Sequence, residues 1–455
     1  MSEEAERAEE RLPATEEIAQ DLIKKYSIIS VYNSKVIMVK KGNIYTNDLN
    51  YFNRDLHSRV KKYDSFTNYI NNVISRIKYA QSTDIEEKLC FDPWKINFKN
   101  GYYDIEKMVK GEKPFTRTQD DTETTFFYEI PYNLKFDKKY DCPKFKKALK
   151  TWLIRNPTIL PEDIFEMMGY SMTTNVSLKK AFYFYGPTDS GKTTFQTILE
   201  GIIGEKNRSS ISLWRMGKDQ FGTHGLAFKL LNMVGDVSKK IGNIDKFLQV
   251  AGGDKYIGAE GKGKDNYEFR NAVKLWFNSN KLPDLQDNNR PEFYNRFCIV
   301  EFPRQIPADE QIPGFAEMIL SDPDEVMGII WECIYGLERL KRRVRFHPRT
   351  TTNTRHLWAY ETDYFYRFKF VYCESTGDDD NWIDKIDFHK RLNMFLGQNL
   401  KKSLSPQKIN QRMMIEGYEV KQLSPSQAPD RPYVFLGIHW KDLDWREDIP
   451  EELKH

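Results

Sequence analysis

Between about positions 180 and 303 four short apolar runs recur, over 181–185, 230–234, 273–277 and 298–302. Each is too short for a helix and too apolar for a loop, so each reads as a buried strand. They alternate with helical or polar segments, which predicts an α/β domain on a mostly parallel sheet. From Cys142 the period changes. Phe145, Ala148, Leu149, Trp152 and Leu153 fall on one helical face, with Pro143 at a first-turn position. A second helix is predicted from Pro161, with Glu162 and Asp163 in its first turn. The stretch before about Tyr140 mixes short apolar runs with Lys, Asn and Tyr and reads as α+β, with turn signals at Lys99-Asn100-Gly101 and Tyr132-Asn133-Leu134.

Downstream, positions 336–369 are rich in Arg and aromatic residues, and Gly377-Asp378-Asp379-Asp380 marks a linker. Helical patterns over 386–396 and 406–415 are followed by strand-like runs over 418–423 and 433–438, separated by a Pro-rich loop. Helices followed by a long-tipped hairpin predict a small winged-helix module.

Composition narrows the class. The chain has 455 residues, 40% apolar and 30% charged, which excludes a disordered or fibrous protein and suggests two to four domains. No apolar run reaches the roughly 18 residues of a membrane span, and the acidic N-terminus lacks the basic and apolar parts of a signal peptide. The expectation is a soluble, cytoplasmic (intracellular) protein with no membrane partner. Five widely spaced cysteines without a C-x-x-C pair argue against a disulfide framework or a zinc ribbon. The net charge of +3 is by itself silent about nucleic acid.

The most specific chemical signal is Gly186-Pro187-Thr188-Asp189-Ser190-Gly191-Lys192-Thr193-Thr194, which fits G-x-x-x-x-G-K-[ST] between a predicted strand and a predicted helix. Such a loop cradles phosphates with successive backbone N–H groups and a helix N-terminus. Lys192 is expected to reach the β- and γ-phosphates of ATP, and Thr193 to place its hydroxyl on Mg²⁺. A P-loop enzyme also needs an acid at the end of a neighbouring strand, and Asp236 follows the run over 230–234. Asn280, in Asn278-Ser279-Asn280-Lys281-Leu282-Pro283, stands at the tip of the next strand, where an amide can orient water or sense the γ-phosphate. Arg296 precedes the last strand and is placed to act as an arginine finger toward a neighbouring subunit.

Taken together, these elements resemble the superfamily 3 helicases, most closely the helicase part of the phage/plasmid and poxvirus-type primase-helicases. Asn280-x-x-Pro283 and Arg296 match that family's sensor and arginine finger by position. The segments Asn97-Phe98-Lys99-Asn100-Gly101, Cys142-Pro143-x-Phe145 and Met168-Gly169-Tyr170 are similar to its preceding helical region. The resemblance implies an AAA+-like core and an ATP-driven ring, a hexamer, moving 3′→5′ on single-stranded DNA at a fork. It also implies a DNA-contacting hairpin between acid and sensor. The matching segment begins at Ala251-Gly252-Gly253-Asp254-Lys255 and carries Lys262 and Lys264 at its tip, which makes Lys255, Lys262 and Lys264 candidate DNA contacts. One departure concerns the acids. The family commonly has two adjacent acids at the strand end, whereas here Gly235 stands in the first position and Asp236 in the second. The general base is then Asp236 alone, or a carboxylate from elsewhere such as Asp254 or Glu260.

The implied division is an N-terminal α+β region over 1–140 with an acidic tail over 1–21, a helical collar over 141–179, the ATPase domain over 180–335, a basic linker over 336–380 and a winged-helix-like domain over 381–455. Positions 339–355 hold seven cations and no acid, either a solvated helix face or an outer DNA track. Lys401, Lys402, Lys408 and Arg412 surround the expected recognition helix and are candidate DNA contacts, with Arg431 in the wing. With only about 90 residues ahead of the matched region and no paired-carboxylate motif in them, priming is expected from another chain, a separate primase or polymerase, or from a part of the protein outside this sequence. The rival expectation is an ATP-regulated, origin-binding initiator with little unwinding.

Overall fold

The computed structural model describes residues 14–31, 36–60, 66–156, 158–218, 222–235, 244–260, 266–283, 291–351, 354–378 and 380–442. The chain forms two compact units, Met1–Thr354 and Arg355–His455. Among the described residues no helix is long and apolar enough to cross a membrane.

The first unit is α/β, and its centre is a five-stranded sheet. The strand order is Phe297–Glu301, Ala181–Tyr185, Lys274–Ser279, Leu231–Val234 and Arg208–Ser209, and every pairing is parallel. Four of the five coincide, within two residues at either end, with the four apolar runs. Those four strands are covered on both faces, which is why they read as continuous apolar runs and not as alternating ones. On one face Phe182, Phe184 and Trp276 pack with Phe195 of the helix Lys192–Ile203, the Phe184–Phe195 and Phe195–Trp276 centroids lying 4.8 and 5.6 Å apart. On the other face Tyr183, Phe277 and Phe297 pack together, with Phe247 stacked on Phe297.

The predicted helices Pro143–Trp152 and Pro161–Ser171 form, each with its proline in the first turn. Asp163 accepts the Leu160 N–H at 2.9 Å, which closes the second helix's N-terminus. The long helix Pro323–Arg343 crosses Pro161–Ser171 closely because glycine stands on each side of the contact. A Cβ on Gly169 would run into the Cys333 carbonyl, and one on Gly336 would lie 2.8 Å from the Phe165 carbonyl oxygen. That helix spans position 336, so the Arg-rich stretch begins inside it.

Ahead of this core lie a four-stranded sheet (Ile44–Thr46, Ile37–Lys41, Ile29–Val31, Ser82–Thr83) and a three-stranded antiparallel one (Lys95–Phe98, Gly101–Asp104, Phe115–Arg117). The turn predicted at Lys99-Asn100 is the tight link between the first two strands of the latter. The helices Thr15–Tyr26, Asn50–Val60 and Phe66–Ala80 share a separate apolar cluster that includes Leu22, Phe52, Leu56, Val73 and Ile77.

In the second unit the helices Tyr364–Tyr372, Lys385–Gln398 and Pro406–Ile415 pack around Phe365, Phe368, Phe388, Leu392, Ile409, Met413 and Phe435. A three-stranded antiparallel sheet runs Trp382–Asp384, Tyr433–Leu436, Val420–Gln422. The apolar run over 433–438 is not one strand. It breaks at Gly437, whose φ is +75°, and Ile438–Trp440 turns away to pair with Cys373–Ser375.

Candidate functional site

Because all five strands run the same way, their carboxyl ends open onto one edge, where open α/β sheets carry ligand sites. The glycine-rich segment leaves that edge after Tyr185 and enters the helix Lys192–Ile203. Gly186 has φ +147°, and a Cβ there would strike the Phe302 carbonyl. Gly191 has φ +95°, and a Cβ there would lie 2.5–2.6 Å from three atoms of the Trp152 indole. Sterics alone therefore demand glycine at both ends of the loop. Between them Asp189 holds φ +58°, and its carbonyl accepts the Ile306 N–H at 2.9 Å.

Lys192 is buried, and its ammonium sits inside the loop. Nζ donates to the Gly186 carbonyl at 2.8 Å, the Pro187 carbonyl at 2.6 Å and Ser190 Oγ at 3.0 Å. A cation thus stands at the positive, N-terminal end of a twelve-residue helix, with Thr193 exposed beside it. A cavity of about 650 Å³ adjoins the loop at Asp189, Gly191 and Thr194. Its apolar side is Trp152, Ile306, Ile312 and Phe315, and Lys144 and Lys147 stand among its lining residues.

The neighbouring strands bring further groups to the same edge. Asn280 follows Lys274–Ser279, and its Nδ2 donates to Thr188 Oγ1 of the loop at 3.4 Å. Gly235 follows Leu231–Val234, and Asp236 lies outside the described residues. The space at Gly235 is bounded by amides: a Cβ would stand 3.2 Å from Asn278 Oδ1 and 3.5 Å from Gln196 Oε1. Asn278 Nδ2 donates to Gln196 Oε1 at 2.5 Å. Where the resemblance calls for a first acid, this chain carries a glycine facing a hydrogen-bonded amide pair.

Arg296 stands at the opposite edge. It precedes Phe297, which pairs with Ala181 at the start of the adjacent strand, whereas the loop follows Tyr185 at its end. At about 3.3 Å per residue that places it roughly 15 Å or more from the loop of its own chain. Its guanidinium lies beside Gly252, as does the Asp254 carboxylate, and among the described residues its buried Nε has no hydrogen-bond partner. Glu260 ends the first arm of a hairpin, Tyr256–Glu260 paired antiparallel with Asn266–Arg270.

Lys262 and Lys264, at the expected hairpin tip, lie outside the described residues. Lys255, at the base, is ion-paired to Glu86 at 2.9 Å, and Glu86 also takes Arg270 at 3.4 Å and the Tyr256 hydroxyl. Burial raises the Glu86 pKa, but the Tyr256 and Lys255 hydrogen bonds outweigh it and hold the carboxyl below its usual range. In the second unit Lys402 and Lys408 are exposed, Lys401 lies 4.4 Å over the Tyr364 ring, and Arg412 is ion-paired to Asp363 and Glu416.

Three features of this neighbourhood escape sequence reasoning. Trp152 reads as an ordinary helix-core residue and proves to wall the loop. Gln196 and Asn278 carry no motif. Glu86, far upstream in sequence, clamps the hairpin base.

Two family descriptions match the chain. Residues 6–154 match "D5 N terminal like", and residues 184–296 match a family of unknown function, DUF5906. That order is the architecture of phage and viral primase-helicases. No curated protein matches in sequence. Solved structures of the C-terminal region of NrS-1 are similar at 12–14% identity, with TM-scores of 0.46, 0.48 and 0.46. They cover 92–94% of this chain and 98–100% of their own.

Proposed function

We propose that the chain is the ATP-driven motor of a replicative DNA helicase, working as a ring on single-stranded DNA. The observation that carries this is the loop between Gly186 and Gly191, with Lys192 at its centre and Asn280 reaching it from the next strand. The residues fit a nucleoside triphosphate with Mg²⁺: backbone N–H groups at a helix start, one ammonium, and an exposed Thr193 hydroxyl. ATP supplies the phosphoryl bond to be broken, and Mg²⁺ neutralises its developing charge. Lys192 exchanges its loop carbonyls for phosphate oxygens, Thr193 and Asp236 hold the metal, and Asn280 orients water beside the γ-phosphate. The base and ribose take the cavity walled by Trp152.

Arg296 completes the site only in trans, because its own loop lies at the other end of the strands, a strand's length away; assembly and hydrolysis are thereby coupled. The hairpin carrying Lys262 and Lys264 follows the DNA backbone, and the helix–helix–hairpin order of the second unit makes it a winged-helix-like module, with Lys402 and Lys408 free to meet DNA. By resemblance the ring is a hexamer and moves 3′→5′.

The test is ATP hydrolysis by Lys192→Ala and Arg296→Ala proteins, alone and mixed. Each alone is expected to lose hydrolysis by about 10³-fold, the scale of an arginine finger. The mixture regains a fraction, because an intact Lys192 then meets an intact Arg296 across an interface. Normal turnover by either single variant overturns the reading.

One observation favours a second reading, an origin-binding initiator that uses ATP for assembly and unwinds little. The glycine and amide pair at Gly235, Gln196 and Asn278 leave Asp236 without an acidic neighbour before it. ATP-dependent displacement of a strand from a tailed duplex decides for the helicase; ATP-dependent protection of DNA without displacement decides for the initiator.

A further inference from the structure

Far from the glycine-rich loop in sequence, three turns of the N-terminal region surround a second cavity of about 680 Å³. They are the hairpin turn after Lys40, the tight turn at Lys99-Asn100, and the segment following Arg117. The turns are locked to one another from below. Asn43, buried, donates from Nδ2 to Asn97 Oδ1 at 2.8 Å. Asn100 donates to the Leu134 carbonyl and accepts the Leu134 N–H, both at 2.9 Å. The Thr118 N–H donates to the Asn100 carbonyl at 3.3 Å.

From this fixed floor Lys40, Lys99 and Arg117 rise as exposed side chains, and among the described residues none has an ion-pair partner. The densest basic stretch of this unit is by contrast matched with carboxylates, Arg339 and Arg343 with Glu166, Lys341 with Glu106 and Arg349 with Asp163. Of the acids in the adjoining chain, Asp121 accepts from the Tyr102 hydroxyl and from its own loop's amides. Burial raises the pKa of half-buried Glu129 against the opposing pull of Lys99, Lys41 and Lys206, so its charge is shared among three lysines. Thr118 lines the cavity too, and among the described residues its buried hydroxyl has no hydrogen-bond partner. Among the described residues no aromatic or aliphatic side chain lines the cavity.

We infer that this cleft is a binding site for the sugar-phosphate backbone of single-stranded nucleic acid, separate from the hairpin and from the second unit. Three unpaired cations with amide and hydroxyl donors match phosphate esters and sugar oxygens. A free nucleotide would need an apolar or stacking wall for its base, and the cleft has none. Binding is sequence-tolerant and salt-dependent, and it does not depend on the ATPase reading, since no group of the cleft belongs to the glycine-rich loop.

The test uses the full chain without nucleotide and a fluorescein-labelled oligothymidylate, with Kd measured across a salt series. Each phosphate contact contributes about 0.7 to the slope of log Kd against log salt for single strands, so Lys40→Gln, Lys99→Gln and Arg117→Gln combined lower it by about 2. ATP hydrolysis without DNA and the melting temperature stay at wild-type values, which separates this outcome from failure of the motor assignment. The charge-reversed set Lys40→Glu, Lys99→Glu and Arg117→Glu weakens binding further at low salt. An unchanged slope in both sets overturns the inference. So does saturable binding of dAMP or inorganic phosphate that the combined variant loses while its oligothymidylate slope is unchanged, which assigns the cleft to a free phosphate compound.

Discussion

A methyl group added at Gly191 would overlap the Trp152 ring and would also have to adopt φ +95°. Gly191→Ala is therefore penalised twice, by backbone strain of about 1–2 kcal/mol and by displacement of an indole that is only 4% exposed. The expected result is loss of ATP binding with the fold retained. Fluorescence titration with a labelled ATP analogue checks it, and the double variant Gly191→Ala with Trp152→Ala recovers only part of the affinity because the φ cost persists. The need for glycine here is readable from the motif, but the reason it is enforced is not. Trp152 lies 39 positions upstream, and its helical spacing announces only that it is buried. The amide pair at Gln196 and Asn278 is hidden for a similar reason. Nothing in the local pattern tells which side chains face Gly235 across a sheet.

Elements built from local period alone are the ones most legible along the chain. The parallel strands and the helices at Pro143 and Pro161 form where their apolar spacing and prolines place them, because a strand covered on both faces and a helix opened by proline need little from distant residues. The Arg-rich stretch depends on distant partners. Arg339 and Arg343 both donate to Glu166, whose carboxylate is 4% exposed, and Arg349 makes two bonds of 2.9 Å to Asp163. These bases fasten the long helix and the segment after it to the helix Pro161–Ser171, across more than 170 positions of chain. Removing the shared acceptor strands two half-exposed guanidinium groups, so Glu166→Ala costs about 2–3 kcal/mol, below the range for a wholly buried pair. Arg342, 56% exposed and paired only within its own helix to Glu338, costs under about 0.5 kcal/mol on mutation to Ala. Denaturant midpoints check both. Arg339→Ala with Arg343→Ala should shift the midpoint and leave the salt slope of DNA binding unchanged, the reverse of what the N-terminal cleft variants do.

At the scale of the whole chain, the near-neutral balance of +3 conceals a choice about where cations stay free. In the first unit the densest run of positive charge is largely spent on internal ion pairs, whereas Lys40, Lys99 and Arg117, scattered in sequence, converge unpaired on one cleft. Charge density along a sequence is thus a poor guide to an electrostatic surface once folding can bring acids from far away. The second unit makes a complementary case. Its apolar cluster is drawn entirely from residues beyond Arg355, and Asp363 caps the helix Tyr364–Tyr372 while holding Arg412 of another helix. A core and a cap network that use no residue of the first unit are what a domain able to fold alone requires. The segment 355–455 expressed alone should unfold in one cooperative transition with a calorimetric enthalpy of about 60–80 kcal/mol, the scale of a domain of roughly 100 residues. A broad transition of low enthalpy would mean that the cluster around Phe368 and Phe388 forms only when the first unit is attached, and the proposed DNA contacts of Lys402 and Lys408 would then require the intact chain.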